Sequence, residues 1–190
     1  MVTLLILIVT EILTYIVIRQ HFYEKSWMRY YFFFTINLIL SIWLWVLWFE
    51  SASYKGIFDE PEHIWVMLNL AGMLVGVVFP RIVASSFHFI GVFLRRKKGG
   101  HNRFLTNIGF TIAAIIFLFS ISGALIGRFN FKTERQTVKI RGLNPDLDGL
   151  KIIQISDLHM ASFYHHKELL RKVMEKINSE HPDLLLNTGD

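Results

Sequence analysis

The 190-residue sequence contains no cysteine. Disulfides and thiolate metal sites are therefore excluded, and any metal chemistry falls to carboxylate and imidazole groups. A cleaved secretory leader is not expected at the start of this sequence either. The opening run "MVTLLILIV" carries no basic n-region and no small-residue cleavage site, so it reads as a retained anchor. No internal repeat or low-complexity segment stands out. Acidic residues number 15 against 20 basic ones, for a formal net charge of +5. The basic residues sit in short clusters beside apolar runs, a placement that fits membrane flanks and argues against nucleic-acid binding.

What is abundant is apolar side chain, 53% of the residues, with aromatics crowded into stretches such as "YYFFF" and "WLWVLWF". A bilayer core about 30 Å thick takes about 20 apolar residues as helix. Four segments approach or meet that length, near residues 2–18, 30–49, 64–80 with an extension to 94, and 104–126. The third is interrupted by Pro80-Arg81. Splitting it there leaves a second half too short to span, and no turn sequence separates the halves, so one long helix kinked at Pro80 is predicted. Beyond that point Arg81, Ser85, His88 and Arg95 share one face, with Phe87, Phe89, Ile90 and Phe93 largely elsewhere. This half is expected to lie partly in the membrane interface.

Glu11, Asn37 and Asn69 inside apolar runs are expected to hydrogen-bond neighbouring helices. His88 has no second histidine at an evident matching depth, which leaves a haem reading unsupported. Gly72 with Gly76, and Gly123 with Gly127, form G-x-x-x-G spacings that permit close helix packing. Arg95 to Lys98 read as topology charges. Loops after the first and third spans carry eight Lys and Arg (Arg19, Lys25, Arg29, Arg95, Arg96, Lys97, Lys98, Arg103), against Lys55 alone after the second. By the positive-inside rule those two loops are cytoplasmic, and both chain ends lie outside.

The pattern changes after Gly127, so residues 1–127 and 128–190 read as two domains. "RQTVKIRGL" alternates like a half-buried strand, and "NPDLDG" is a turn by composition. "LKIIQIS" reads as a buried strand. Residues 166–179 place Leu169, Leu170, Val173, Met174 and Ile177 on one helical face, and "LLLNT" is a further strand. Strand 150–156, helix 166–179 and strand 184–188 form a βαβ unit with parallel strands. Ligands of such sheets bind beyond the carboxyl ends of the strands. Asp157 follows the first strand and Asp190 the second, so both belong to one edge, where His159 can turn an imidazole to a shared cation. Gly189 permits the tight path that presents Asp190. Oxygen and imidazole ligands without sulfur suit Mn, Fe or Zn, and two such ions can activate a bridging hydroxide for attack on phosphorus. His165 and His166 read as surface residues at the helix start.

"LKIIQISDLHMASF" followed by "PDLLLNTGD" resembles the start of the calcineurin-like metallophosphoesterases, most closely the membrane-anchored bacterial branch similar to YkuE. The resemblance covers roughly residues 135–190. It implies an α-helical membrane bundle followed by the first βαβ part of an α/β metallophosphoesterase domain, in a multi-pass protein of the bacterial cytoplasmic membrane. It implies two divalent ions, with Asp157 and His159 on the first and Asp190 bridging both. The substrate would be a phosphate ester or pyrophosphate, either a small molecule or lipid-linked. The family's later blocks, G-N-H-[DE], a further histidine and G-H-x-H, do not occur up to Asp190. The expectation is therefore the N-terminal part of a longer enzyme, inactive by itself. The alternative is a non-enzymatic bundle, transporter-like or scaffolding, with a degenerate tail.

Overall fold

The computed structural model describes residues 2–23, 26–55, 60–99, 101–127, 130–156 and 163–189. Two compact units make up the chain, one from Met1–Gly56 with Val66–Gly127, the other from Ile57–Trp65 with Arg128–Asp190.

Helices build the first unit: α1 (Val2–Phe22), α2 (Trp27–Ser53), α3 (Pro61–Met73, from Val66 on), α4 (Phe79–Leu94) and α5 (Arg103–Leu125). Polar caps mark their starts. Ser26 Oγ accepts from Arg29 N at 3.4 Å, and Asn102 Oδ1 accepts from Phe104 N at 3.1 Å and Leu105 N at 3.4 Å. Pro61 opens α3, where its missing N–H costs nothing. Helices α3 and α4 are joined without a break by a π-turn, Leu74–Val78. Among the described residues, four helices are thus long and apolar enough to cross a membrane: Thr3–Phe22, Trp27–Ser53, Pro61–Leu94 and Arg103–Leu125.

The irregularity expected at Pro80 lies one turn earlier. Phe79 N–H donates to Leu74 O, five residues back. A proline ring clashes with the carbonyl four residues before it, here that of Gly76. A widened turn ahead of the ring relieves that clash while the helix continues.

The unit is inverted relative to a water-soluble bundle. Leu5, Phe32, Trp43, Phe49, Phe119 and Leu125 face outward, whereas Thr10, Thr14, His21, Ser41, Arg81, Ser85, His88 and Thr106 are buried. Helix α4 follows this pattern: Arg81, Ser85 and His88 turn into the bundle, and Phe79, Ile82, Ile90 and Phe93 form the exposed face. Helices α1, α2 and α5 supply polar partners to Arg81 and His88 there.

Helix α4 packs closely on α5. A Cβ at Gly109 would stand 2.6 Å from Phe87 Cβ and 3.3 Å from Ala84 O. Of the two G-x-x-x-G pairs, Gly76 makes a close contact, with a Cβ there 3.1 Å from Ser120 Cβ, while Gly72 and Gly123 face open space.

The second unit contains β1 (Ile152–Ile155), α6 (Lys167–Ser179) and β2 (Leu184–Asn187), the strands paired in parallel. The expected turn is present as a 3-10 segment, Pro145–Leu147, with Asn144 Oδ1 accepting from Asp146 N at 3.2 Å. Ile177 is buried, Leu169, Leu170 and Val173 are half-buried, and Met174 is exposed, so α6 turns most of the expected face inward. Among the described residues of this unit, Phe163 and Ile177 are the buried apolar ones, and the Phe131 and Phe163 rings stack at 5.9 Å.

The strand expected at 135–143 does not form. Among the described residues that segment is irregular, and Val138 and Ile140 are 69% and 62% exposed. Alternation marks which side chains a strand would bury, but a strand needs a hydrogen-bonded neighbour. The sheet holds two strands, β1 and β2. The α/β part is accordingly small: two parallel strands and one connecting helix.

Candidate functional site

The strand register is set at the amino ends. Lys151 N donates to Asp183 Oδ2 at 2.7 Å, and Asp183 N and Leu184 N donate to Lys151 O at 2.8 and 3.2 Å. From there Ile152 pairs with Leu184 and Ile155 with Asn187. At the carboxyl ends Thr188 N donates to Ile155 O at 3.0 Å, and Gln154 Nε2 donates to Thr188 Oγ1 at 2.9 Å. Gly189 comes next with φ +147°, a conformation that favours glycine, and donates to Asn187 Oδ1 at 3.4 Å. Ser156 and Gly189 therefore leave the same end of the sheet.

Asp157, His159 and Asp190, the predicted metal ligands, lie outside the described residues. Among the described residues no group of three or more His, Asp or Glu is placed to hold a metal ion. His165 and His166 are exposed at the start of α6, with His166 as its N-cap, in accord with their reading as surface residues.

Beside α6, an ion-pair cluster ties the irregular segment to the βαβ unit. Arg135 bonds Glu180 Oε1, Lys151 Nζ lies 3.5 Å from Glu180 Oε2, and Lys176 Nζ donates to Phe131 O at 3.3 Å. The Arg135 hydrogen bond, seconded by the Arg135 and Lys151 charges, holds the Glu180 carboxyl below its usual range.

Inside the helical unit the polar side chains form two clusters. In the first, Arg81 Nη1 donates to Glu11 Oε1 at 2.7 Å, and Arg81 Nη2 donates to Ser41 Oγ at 2.9 Å and to the Asn37 main-chain carbonyl at 3.1 Å. Ser41 Oγ in turn donates to Glu11 Oε2 at 2.7 Å. Arg81 is 7% exposed. A guanidinium buried this deeply is tolerated because the half-buried Glu11 carboxylate neutralises it and its other donors go to a hydroxyl and a carbonyl. Beside this pair lies a cavity of about 450 Å³, lined by Thr14, Asn37, Pro80, Arg81, Phe110 and other residues of α1, α2, α4 and α5.

The second cluster gathers His21, His88 and His101. His88 is fully buried, with Nδ1 3.2 Å from Thr106 Oγ1 and Nε2 2.8 Å from Gln20 Oε1. His21 Nε2 lies 2.9 Å from Asn107 Oδ1, and its Nδ1 shares a 3.2 Å hydrogen bond with His101 Nε2. The His101 ring centroid is 4.8 Å from that of His88 and 5.4 Å from that of His21. His88 thus has histidine neighbours that sequence spacing does not reveal, because the three come from α1, α4 and the connection before α5. Glu11 bonds another helix, as expected. Its partner Arg81, 70 residues away, is not evident from the sequence.

No protein-family model matches the chain, and no solved structure matches it. A curated protein described as an uncharacterized metallophosphoesterase, YkuE of Bacillus subtilis (strain 168), is 36% identical over 59 residues. The match takes in 31% of this chain and 20% of that protein, so the chain spans about a fifth of the relative's length.

Proposed function

We propose that this chain anchors a metal-dependent phosphoesterase in a bilayer, and that Asp157, His159 and Asp190 ligate its two divalent ions. The observation that carries the reading is the parallel register of β1 and β2. With Ile155 opposite Asn187 and Thr188 bonded to Ile155, the stretches leading to Asp157 and to Asp190 start side by side. Neighbouring strands lie about 4.8 Å apart, a separation that lets two carboxylates share a cation. The partial match to a metallophosphoesterase supports the same family.

The chemistry rests on the ligand types. Carboxylates and imidazole suit Mn, Fe or Zn, and two such ions neutralise charge on a phosphoryl group while activating water. The substrate class is a phosphate ester or pyrophosphate, free or lipid-linked. The surplus of Lys and Arg in alternate loops favours the catalytic part on the extracytoplasmic side.

The test uses the full-length protein, purified in detergent, with bis-p-nitrophenyl phosphate and added Mn²⁺. Turnover is expected, and Asp157→Ala should lower it at least about 100-fold with loss of bound metal, since even outer-shell changes cost 10–100-fold. Undiminished turnover in that variant removes the ligand assignment. A second reading, a non-enzymatic bundle, draws on the buried Glu11–Arg81 and histidine clusters. It predicts no metal-dependent turnover in the unmodified protein.

A further inference from the structure

The inward face of α4 carries Arg81, Ser85 and His88, spaced four and three residues apart. At about 1.5 Å rise per residue this stripe runs about 10 Å along the helix, from the ion pair to the histidine cluster. On α1, Glu11 meets Arg81 and Gln20 meets His88. Both ends of the stripe are hydrogen-bonded. The middle is not.

Ser85 is 4% exposed, and its Oγ is the buried side-chain polar atom without a hydrogen-bond partner among the described residues. Serine in a helix ordinarily satisfies itself on the carbonyl four residues back. Its neighbour Ser86 does so, donating to Ile82 O at 2.8 Å, as Thr14 does to Thr10 O at 2.7 Å. Ser85 does not, so its hydroxyl is left for a partner inside the bundle. Leaving a buried hydroxyl unsatisfied in an apolar setting is costly, and a water bonded to two or more polar groups is the usual remedy.

We propose that Ser85 binds a buried water, and that this water links the histidine cluster to the Glu11–Arg81 pair as a half-membrane access path for water and protons. The path opens at His101, which is half-buried while His88 is fully enclosed. The groups lining it are Gln20 and His21 from α1, Thr106 and Asn107 from α5, and His101 with Arg95 from the connection, where Arg95 Nη1 donates to His101 O at 3.4 Å. Asn37 and Ser41 of α2 close its inner end around Arg81. Glu11 is the one carboxylate along this path. On this proposal the Ser85 water exchanges with solution from the side of the 95–102 connection.

The absence of native cysteine makes the test direct. In sealed vesicles holding the otherwise unmodified chain, Ser85→Cys is exposed to Ag⁺ on one side, and a fluorescent maleimide added after unfolding reads the thiols left free. Silver attacks the ionised thiol, which forms where water reaches it. Ser85→Cys should be protected from the side of the 95–102 connection at least about tenfold faster than Val17→Cys, a buried apolar position of α1. The variant is conservative, and its monodispersity in detergent checks the fold. Protection no faster than at Val17→Cys, or protection from the opposite side, overturns the proposal.

Discussion

In the helical unit, charge and imidazole are enclosed while large apolar side chains face outward. Arg81 is 7% exposed and Phe119 is 74% exposed. In the α/β unit the ion pairs along α6 lie at the surface: Arg171 pairs with Glu168 and Glu175 at 2.9 Å, each partner more than half exposed. Its strands are also open, with Leu184, Leu185 and Leu186 between 40% and 45% exposed. The same interaction thus has different weight in the two places. An enclosed ion pair loses its solvent alternative, so removing one partner is costly. A surface pair competes with water and salt and contributes about 0–1 kcal/mol.

The largest effect should come from separating the enclosed pair. Arg81→Leu leaves Glu11 without its counter-charge and is expected to cost about 3–5 kcal/mol, measured by thermal unfolding in detergent. Replacing both partners, Glu11→Leu with Arg81→Leu, should recover most of that loss. A single variant as stable as the parent would erase the contrast between the units. Next comes packing. Gly109→Ala forces a methyl against Phe87 and should cost about 1–3 kcal/mol. Gly123→Ala, which faces open space, should be neutral or stabilising by up to about 1 kcal/mol.

The smallest effect belongs to the exposed unit. Glu180 titrates below its ordinary value of 4.5 in the folded chain. Its ion pairs therefore contribute in full above about pH 4.5, and the contribution fades as pH falls through the lower folded value. Protection factors of the α6 amides, exchange rates corrected for their intrinsic pH dependence, should fall over that acid range, and Glu180→Gln should flatten the change. An unchanged acid response in that variant would show that the Arg135 and Lys151 contacts add nothing.

The same contrasts explain which parts of the molecule are legible in the sequence. The four long helices can be read from apolar length alone, because a bilayer-sized run is a local property. The βαβ order is legible too, since α6 shows its inward face in the spacing of Leu169, Leu170, Val173 and Ile177. Residues 135–143 mislead because alternation is local while pairing is not. The partners of Glu11 and His88 are hidden for the same reason: Arg81 and His101 reach them by helix packing, which leaves no mark on sequence spacing. Asp157, His159 and Asp190 stand out by motif, and the described residues extend to their immediate neighbours Ser156 and Gly189. The later ligand blocks expected from the resemblance have no counterpart up to Asp190.

The wide turn at Leu74–Val78 has a consequence for how this helix tolerates change in length. One extra residue is held there without rotating the downstream half of the helix. Loss of a single residue from that turn would tighten it to an ordinary coil and keep Arg81 aimed at Glu11. Loss of Phe79 instead, between that turn and Arg81, would swing the guanidinium by about 100°, away from Glu11.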